Sequence, residues 1–411
     1  DAFDLPAFFV YDDGIAVTQL VDARGAVTTD CFDGAGHTIA RVDALDGVRT
    51  WTYDAELDPR TATDPLGRVT RYEFDGDHRP TSITAPGSTA TTIDYAADGI
   101  PVEVNDPLGT TTVTLDGGTR LPTAITRTDG TETLDIAGFE YSAEGQPELV
   151  VGPDGSETTL TWDEDGYLES STDAEGRTTS YTVDARGFVT EVVSPEGNAP
   201  GGDPEDYDTT YTFDAGGRVL TVTDPLGSTT THTYDALGRL ASTTTELGTV
   251  TSYEYDLAGQ LTEVTSSIGD AETAVTTYEY DAAGNLVAVE DPDGHRTETT
   301  YDLLGRAVVV TDAAEQDWTT VYDAAGQVVE TIDPTDASTA FAYDAAGRVL
   351  TVTDPAELET TYDYDDATGL LESMTDPADE TTTYGYDWLG RQTTVTNALS
   401  QTATVVYDDA G

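Results

Sequence analysis

The chain has 411 residues and carries 79 acidic side chains against 17 basic ones, all Arg, for a formal net charge of −62. This negative field disfavours nucleic acid as a partner, because phosphates carry the same sign. There is no apolar run of about 18 residues or more, so this segment contains no membrane-spanning helix. Composition therefore argues against nucleic-acid binding and excludes a membrane-spanning helix in this segment before any motif is considered.

The charge also indicates the solvent in which the chain folds. Multimolar salt shortens the Debye length to a few ångströms and removes the self-repulsion of an acidic surface. A Lys-free acidic chain in which Tyr, Val and Gly recur in register is typical of a halophilic protein, whereas a disordered acidic tail would lack that order. We expect the β-structure to be lost below about 1 M salt.

The first half of the chain predicts short strands at a regular spacing. Asp12, Asp22, Asp33, Asp43 and Asp54 follow one another at steps of ten or eleven residues, which fits one strand and one turn. The same rhythm continues less regularly up to residue 206. We interpret residues 1–206 as degenerate β-repeats that end in an acidic loop rich in Pro and Gly, which also supplies candidate contact residues: Pro195, Asn198, Gly201 and Asp203.

From residue 207 to 411 the repeat becomes regular, with a period of about 21 residues. An aromatic residue, Asp, two small or apolar residues, Gly and often Arg recur, and an Asp-Pro turn lies midway between successive copies. One repeat is therefore one β-hairpin. The residues that we assign to turn formation and stacking are Tyr234, Asp235, Gly238, Arg239, Tyr301, Asp302, Gly305, Arg306, Tyr343, Asp344, Gly347, Arg348, Tyr386, Asp387, Gly390 and Arg391.

Each position in this motif has a physical role. The Asp carboxylate can accept backbone N–H groups two residues on, and the Gly can take positive φ without steric strain. The aromatics alternate with small or acidic residues, which places them on one face of a strand. The Arg is expected to pair with an Asp carboxylate of the next repeat. A second interruption near 266–274 predicts another surface loop, with Ile268 and Asp270 as candidate contacts.

These patterns predict an all-β fold of tandem hairpins that form one continuous, curved or spiral antiparallel sheet, shell-like or tube-like. The sequence supports no catalytic site. Four scattered histidines, His37, His78, His232 and His295, lack metal-ligand spacing, and His232 occupies a strand position taken by Tyr in sister repeats. The single Cys31 is expected to be a half-buried strand residue.

Calcium is the one inorganic ion whose binding the turn sequences leave as an open alternative. Asp291-Pro-Asp-Gly294 offers hard oxygen donors, although neither an EF-hand loop nor a calcium-binding nonapeptide is present. No other cofactor is expected.

The two turn motifs, Tyr-Asp-x-x-Gly-Arg and Asp-Pro-x-Gly, alternate at a fixed spacing along the chain. In this they resemble the RHS/YD repeat. The resemblance is strong over 207–411 and looser before it. It implies a spiral of hairpins that closes into a hollow shell in long members. Such shells enclose a toxic C-terminal domain in secreted bacterial toxins and insecticidal toxin complexes, and similar repeats serve cell-surface adhesion in teneurins. The paired Asp-Pro-x-Gly turns of the family's self-cleavage site are not matched by Asp64, Asp106 or Asp224 and their surroundings.

Two functional hypotheses follow. The first is a non-catalytic shell segment that encloses or displays another domain, with its own repeats or that domain as partners. The second is an extracellular adhesin or fibre that binds surface glycans or proteins. Both place the protein outside the cell or at its surface, in high salt, and we expect the chain to be a segment of a longer array.

Overall fold

The computed structural model describes residues 8–12, 15–268 and 273–408. They form a single open antiparallel sheet of 37 strands, in which each strand pairs with the next along the chain. The all-β prediction of tandem hairpins in one continuous sheet is confirmed. None of the described helices is long and apolar enough to cross a membrane.

The first eighteen strands lie before the acidic Pro/Gly loop. They are Phe8–Asp12 (β1), Ile15–Val21 (β2), Val27–Phe32 (β3), Thr38–Val42 (β4), Val48–Tyr53 (β5), Pro59–Thr63 (β6), Val69–Phe74 (β7), Pro80–Thr84 (β8), Thr91–Tyr95 (β9), Pro101–Asp106 (β10), Gly109–Leu115 (β11), Pro122–Thr128 (β12), Thr133–Tyr141 (β13), Pro147–Val151 (β14), Glu157–Trp162 (β15), Leu168–Thr172 (β16), Thr178–Val183 (β17) and Val189–Val193 (β18).

The loop itself contains two short helical turns, Pro195–Asn198 (α1) and a 3-10 turn at Pro204–Asp206. The remaining strands follow it: Asp208–Phe213 (β19), Val219–Thr223 (β20), Thr229–Tyr234 (β21), Leu240–Thr244 (β22), Thr249–Tyr255 (β23), Leu261–Ile268 (β24), Thr273–Tyr280 (β25), Leu286–Glu290 (β26), Arg296–Tyr301 (β27), Ala307–Thr311 (β28), Asp317–Tyr322 (β29), Val328–Ile332 (β30), Ser338–Tyr343 (β31), Val349–Thr353 (β32), Glu359–Tyr364 (β33), Leu371–Thr375 (β34), Thr381–Tyr386 (β35), Gln392–Thr396 (β36) and Thr402–Thr404 (β37).

The sheet has almost no conventional core. Among the described residues, the only buried hydrophobic side chains are Ala26, Val193 and Ala288. Along the strands the aromatics are half-buried on one face and acids are exposed on the other, as at Tyr362 and Asp363. Stability must therefore come from contacts between neighbouring hairpins, as in other linear repeat architectures.

Because the strands alternate in direction, the turns lie along two opposite edges of the sheet. We call the edge formed by turns after odd-numbered strands, including those at Asp235, Asp302 and Asp344, the Tyr-Asp edge. We call the opposite edge, formed by turns after even-numbered strands such as those at Asp64 and Asp224, the Asp-Pro edge.

The two predicted loops differ in structure. Residues 194–207 form a folded connection between β18 and β19, with the two helical turns described above. Much of the second predicted loop is strand, because β24 runs to Ile268 and β25 starts at Thr273. Strands of eight residues extend this hairpin beyond its neighbours, so those of the extra residues that the structure describes lengthen the ladder. Asp270 lies outside the described residues.

Candidate functional site: the turns and the seam

The Tyr-Asp turn is held by one carboxylate with several donors. Asp235 Oδ1 accepts the backbone N–H of Leu237 and of Arg239, each at 2.9 Å, and Oδ2 accepts Nε of Arg239 at 2.7 Å. Gly238 closes the turn with φ of 85°, a conformation that costs other residues strain. The hydrogen bond from the Arg239 backbone N–H is the largest factor that lowers the pKa of Asp235. The carboxylate is thus an ionised turn former.

The same arrangement recurs at the other three predicted turns. The Arg Nε donates to the Asp Oδ2 of its own turn at 2.6–2.7 Å in Asp302–Arg306, Asp344–Arg348 and Asp387–Arg391. The prediction that the Arg pairs with a carboxylate of the next repeat is therefore wrong. The reason is local: the Asp already accepts the Arg backbone N–H four residues on, which leaves its second oxygen beside Nε.

Instead of a carboxylate, the next repeat offers the Arg side chain a tyrosine ring and a backbone carbonyl. The guanidinium of Arg239 lies 4.6 Å from the ring centroid of Tyr255 and donates to the backbone carbonyl of Asp256 at 3.1 Å. Cation–π stacking of this kind repeats along the array, with Arg306 on Tyr322, Arg348 on Tyr364 and Arg391 on Tyr407. Each turn is thereby connected to its successor.

The motif tyrosines also connect backwards along the chain. The Tyr234 hydroxyl donates to the carbonyl of Val219, fifteen residues earlier, at 2.8 Å. Tyr301, Tyr343 and Tyr386 make equivalent bonds to Leu286, Val328 and Leu371. These bonds were not predicted from the sequence. The constant spacing between the Tyr and the residue after the preceding turn is the signal that could have revealed them.

The predicted contact loop is tied to its own sheet. The Asn198 side chain donates to the carbonyls of Thr178 and Val193 at 2.9 and 3.1 Å. Pro195 is at the start of α1, and Asp203 accepts the Glu205 N–H at the start of the 3-10 turn. Gly201 and Asp203 are exposed. The loop is anchored at Asn198 and exposed at its tip, and a role in binding stays a prediction.

The histidines are dispersed. His37, His78 and His295 each lie against a single Asp, at Asp33, Asp58 and Asp291 respectively, and His232 contacts the hydroxyl of Thr243. The turn at Asp291, Asp293 and His295 places three potential ligand atoms within 4.8 Å of one another. Asp291 Oδ1 already accepts two backbone N–H groups of that turn, and calcium binding there stays the open alternative that the sequence left.

The principal long-range feature is a seam between the two edges of the sheet. Arg24, on the Asp-Pro edge, donates to the carbonyls of Asp302 and Leu303 on the Tyr-Asp edge at 3.1 and 3.2 Å, across 278 and 279 residues. Arg68 donates to the Gln327 side chain at 2.5 Å, across 259 residues.

Further contacts continue the seam along both segments. The Thr89 hydroxyl donates to the Ala367 carbonyl at 3.2 Å. A methyl group of Leu108 packs on Gly390, 3.0 Å from the position that a Cβ there would take. Glu132 and Trp388 line one shared cleft. The Asp-Pro edge of residues 22–132 thus lies along the Tyr-Asp edge of residues 281–391, which requires the sheet to curve through a complete turn.

Comparison with known proteins agrees with this geometry. Residues 249–411 match the family model of the Teneurin YD-shell, and residues 58–90, 162–199 and 213–250 match that of the RHS Repeat. No curated protein sequence matches the chain.

Two solved structures share the fold at low identity. The complex TcdB2-TccC3-TEV is 15% identical with a TM-score of 0.58, and the Tc holotoxin pore of Photorhabdus luminescens is 16% identical with the same TM-score. In both cases the match covers 95% of this chain and 23% of the other, so this chain spans less than a quarter of their length.

Proposed function

Because this chain belongs to the RHS/YD-repeat family, we propose that it is a segment of a structural shell wall that encloses or displays another domain. The repeats and the shell-like fold make it a structural scaffold. The enclosing role is the part that we propose, and the domain it surrounds would be a polypeptide distinct from the repeats described above.

The observation that carries this proposal is the seam. Contacts across 259 to 279 residues correspond to about 13 repeats per turn of the spiral, since one repeat is about 21 residues. With two strands per repeat and about 4.8 Å between strands, one turn has a circumference of about 125 Å and a diameter of about 40 Å. A ring of that width leaves room for a polypeptide inside it.

We further propose that the wall is non-catalytic. The motif carboxylates act as turn formers, and their donors are backbone N–H groups and Arg of the same turn. We also propose that the repeats form one continuous body with two parts, a degenerate part at residues 1–206 and a regular part at residues 207–411. An extracellular or cell-surface location in high salt fits the family and the charge of −62.

Enclosure can be tested with a fused polypeptide, which we call the passenger. A short protease-sensitive segment fused after residue 411 would be digested with proteinase K in multimolar KCl, at a protein concentration low enough to keep the chain monomeric. We expect slower cleavage than in the free passenger, and faster cleavage when the seam is weakened by Arg24→Ala and Arg68→Ala. Arg177→Ala is the matched control, because Arg177 has the turn position of Arg68 but is 63% exposed. Equal cleavage of fused and free passenger would contradict enclosure.

A further inference from the structure

The residue that follows the motif Gly alternates along the Tyr-Asp edge of the seam. We call it the gap residue, because it lies beside the gap between its own turn and the next turn of that edge. Every second gap residue is Arg and the others are uncharged, in the order Asn285, Arg306, Gln327, Arg348, Leu370 and Arg391. The edge therefore has two kinds of gap in strict alternation.

A gap that has an Arg is filled from its own edge. Arg306 donates to the backbone carbonyl of Asp323, in the next turn, at 3.1 Å and stacks on the tyrosine ring of the next repeat. Arg348 and Arg391 stack in the same way. The guanidinium thus occupies the gap and links the two turns that border it.

A gap without an Arg is filled from the opposite edge. Asn285 bonds back to Asp281 of its own turn at 2.8 Å, and Arg24 of the Asp-Pro edge donates to the backbone carbonyl of Asp302 at 3.1 Å. This carbonyl is the equivalent of the one that Arg306 uses in its own gap. The side chains of Arg24 and Arg306 are 19% and 20% exposed. Arg24 therefore takes the place of the Arg that this gap lacks.

The other two gaps without an Arg follow the same rule. Arg68 of the Asp-Pro edge donates to the side-chain oxygen of Gln327 at 2.5 Å. In the third gap, Leu108 and Leu370 lie 3.0 and 3.8 Å from the position that a Cβ on Gly390 would take. A polar gap residue thus receives a guanidinium, and the apolar one receives a leucine.

The Asp-Pro turns that lie between these three carry no cation. They are residues 43–47 and 85–88. In the second of them, a Cβ on Gly87 would lie 3.2 Å from the backbone nitrogen of Ala346, which belongs to the turn of Arg348. Along the described part of the seam, these two turns offer no second guanidinium to a gap that already holds one.

We propose that the gap residues select the register of the seam, within the range that the curvature of the sheet allows. Similar repeats would otherwise dock equally well one repeat earlier or later. A shift by one repeat would place Arg24 against Arg306 and Arg68 against Arg348, so that two guanidiniums compete for one carbonyl. A shift by two repeats would place Arg68 against Leu370. Mismatches of this kind are how a specific interface rejects wrong partners.

The register sets the number of repeats in one turn of the spiral, and so the width of the proposed wall. Because multimolar salt screens charges beyond a few ångströms, the selection acts through hydrogen bonds and volume at close contact. The inference rests on the seam and is independent of whether the wall encloses a passenger, so its test uses the chain without one.

An exchange of gap residues tests the register. Each uncharged gap residue is exchanged with the Arg of the next gap, which leaves composition and net charge unchanged: Asn285→Arg, Arg306→Asn, Gln327→Arg, Arg348→Gln, Leu370→Arg and Arg391→Leu. With Cys31→Ser as background, Thr89→Cys and Ala367→Cys report the present register, because the two residues are in contact across the seam. A short bis-maleimide cross-links them in multimolar KCl.

We expect the rate of intramolecular cross-linking to fall at least about tenfold in the exchange variant, since three gaps are overfilled and each lost hydrogen bond corresponds to about fivefold. The control exchanges Arg239→Gln and Gln260→Arg. Within the described part of the chain, neither of these gap residues makes a hydrogen bond to the Asp-Pro edge. The control should cross-link like the unmodified chain.

A single gap gives a second measurement that needs only two substitutions. Gln327→Arg should raise the equilibrium constant of unfolding in urea at least about fivefold when Arg68 is present. In an Arg68→Gln background the same substitution should not raise it, because the new Arg then has the gap to itself. The difference between the two backgrounds isolates the interaction in that gap.

Three results would overturn the proposal: an exchange variant that cross-links as fast as the unmodified chain, a control exchange that slows cross-linking as much, or a Gln327→Arg effect that is the same with and without Arg68. Far-UV circular dichroism of each variant verifies that the sheet is folded, so that a change of register is not mistaken for a loss of structure.

Discussion

The guanidinium of Arg306 lies 4.5 Å from the ring centroid of Tyr322, in the following repeat, while its Nε donates to Asp302 in its own turn at 2.7 Å. One side chain thus holds its turn together and connects it to the next hairpin. In a sheet with almost no buried core, such connections between neighbours carry much of the cooperativity.

Replacing Arg306 with Lys tests this connection. Lys keeps the charge but cannot offer the planar fork that pairs with the carboxylate and stacks on the ring. We expect the Arg306→Lys variant to lose about 1 kcal/mol of unfolding free energy. Urea unfolding in multimolar KCl, followed by circular dichroism, measures the loss. Arg177→Lys is the control and should change little, because Arg177 stacks on no ring among the described residues. An equal effect at both sites would contradict the stacking role.

The tyrosine hydroxyl makes a separate contribution. Tyr343 donates to the Val328 carbonyl at 2.6 Å. Removing the hydroxyl in Tyr343→Phe leaves that carbonyl without its partner, and we expect a loss of about 1 kcal/mol. The same urea titration applies. Tyr362→Phe provides the comparison, since Tyr362 makes no such hydroxyl bond within the described part of the chain. If both variants unfold at the same urea concentration as the unmodified chain, the bond is not stabilising.

The seam predicts different costs for two leucines that lie in turns of identical sequence. Leu108 packs on Gly390 across the seam, whereas Leu226 is 91% exposed. We expect Leu108→Ser to destabilise the chain by about 1–2 kcal/mol, because apolar surface is exposed when the seam loosens. Leu226→Ser should have almost no effect on unfolding at dilute protein concentration. Equal unfolding midpoints for the two variants would argue against a seam in solution.

The turn carboxylates predict acid sensitivity. The hydrogen bond from Arg120 lowers the pKa of Asp98 from its ordinary 3.8 to about 2, and the pKa of Asp235 is lowered by the backbone N–H of Arg239. A lowered pKa in the folded state means that the unfolded chain binds protons more readily as pH falls. Stability should therefore be full above the ordinary value of 3.8 and decrease as pH falls toward about 2.

Thermal unfolding in multimolar KCl, where self-repulsion is screened, measures this dependence. The melting temperature should fall over that range, and Asp98→Asn should show a shallower decrease. A melting temperature that is flat or rises on acidification would contradict the role assigned to these carboxylates.

The local structure was largely predictable from the sequence. Asp235 and Gly238 are placed in their turn by backbone chemistry that acts over five residues, and the alternation around Tyr362 fixes the face of its strand. The partner of the turn Arg was wrongly assigned, because sequence spacing does not show that the Arg239 backbone bond to Asp235 brings its side chain back to the same carboxylate.

The seam could not be predicted in this way. The contact between Arg24 and Asp302 depends on small rotations between neighbouring strands, accumulated over about 13 repeats. No local sequence pattern specifies this accumulated rotation. Leu108 and Leu226 have identical turn sequences but different exposures. Leu108 packs on Gly390 of the next turn of the spiral, and it also lies in a tighter turn, in which Asp106 pairs directly with Gly109 and Gly109 has φ of 152° against 84° at Gly227.

The closed turn of the spiral is the central claim, and a cross-link tests it most directly. With Cys31→Ser as background, Thr89→Cys and Ala367→Cys place two thiols at the seam, where the Thr89 hydroxyl lies 3.2 Å from the Ala367 carbonyl. A short bis-maleimide should cross-link them within one molecule in multimolar KCl. The pair Thr89→Cys and Ala325→Cys, two repeats or about 20 Å out of register, should not react. Efficient cross-linking of the first pair alone is the predicted result. No cross-link in a chain whose circular dichroism shows an intact sheet would contradict the spiral.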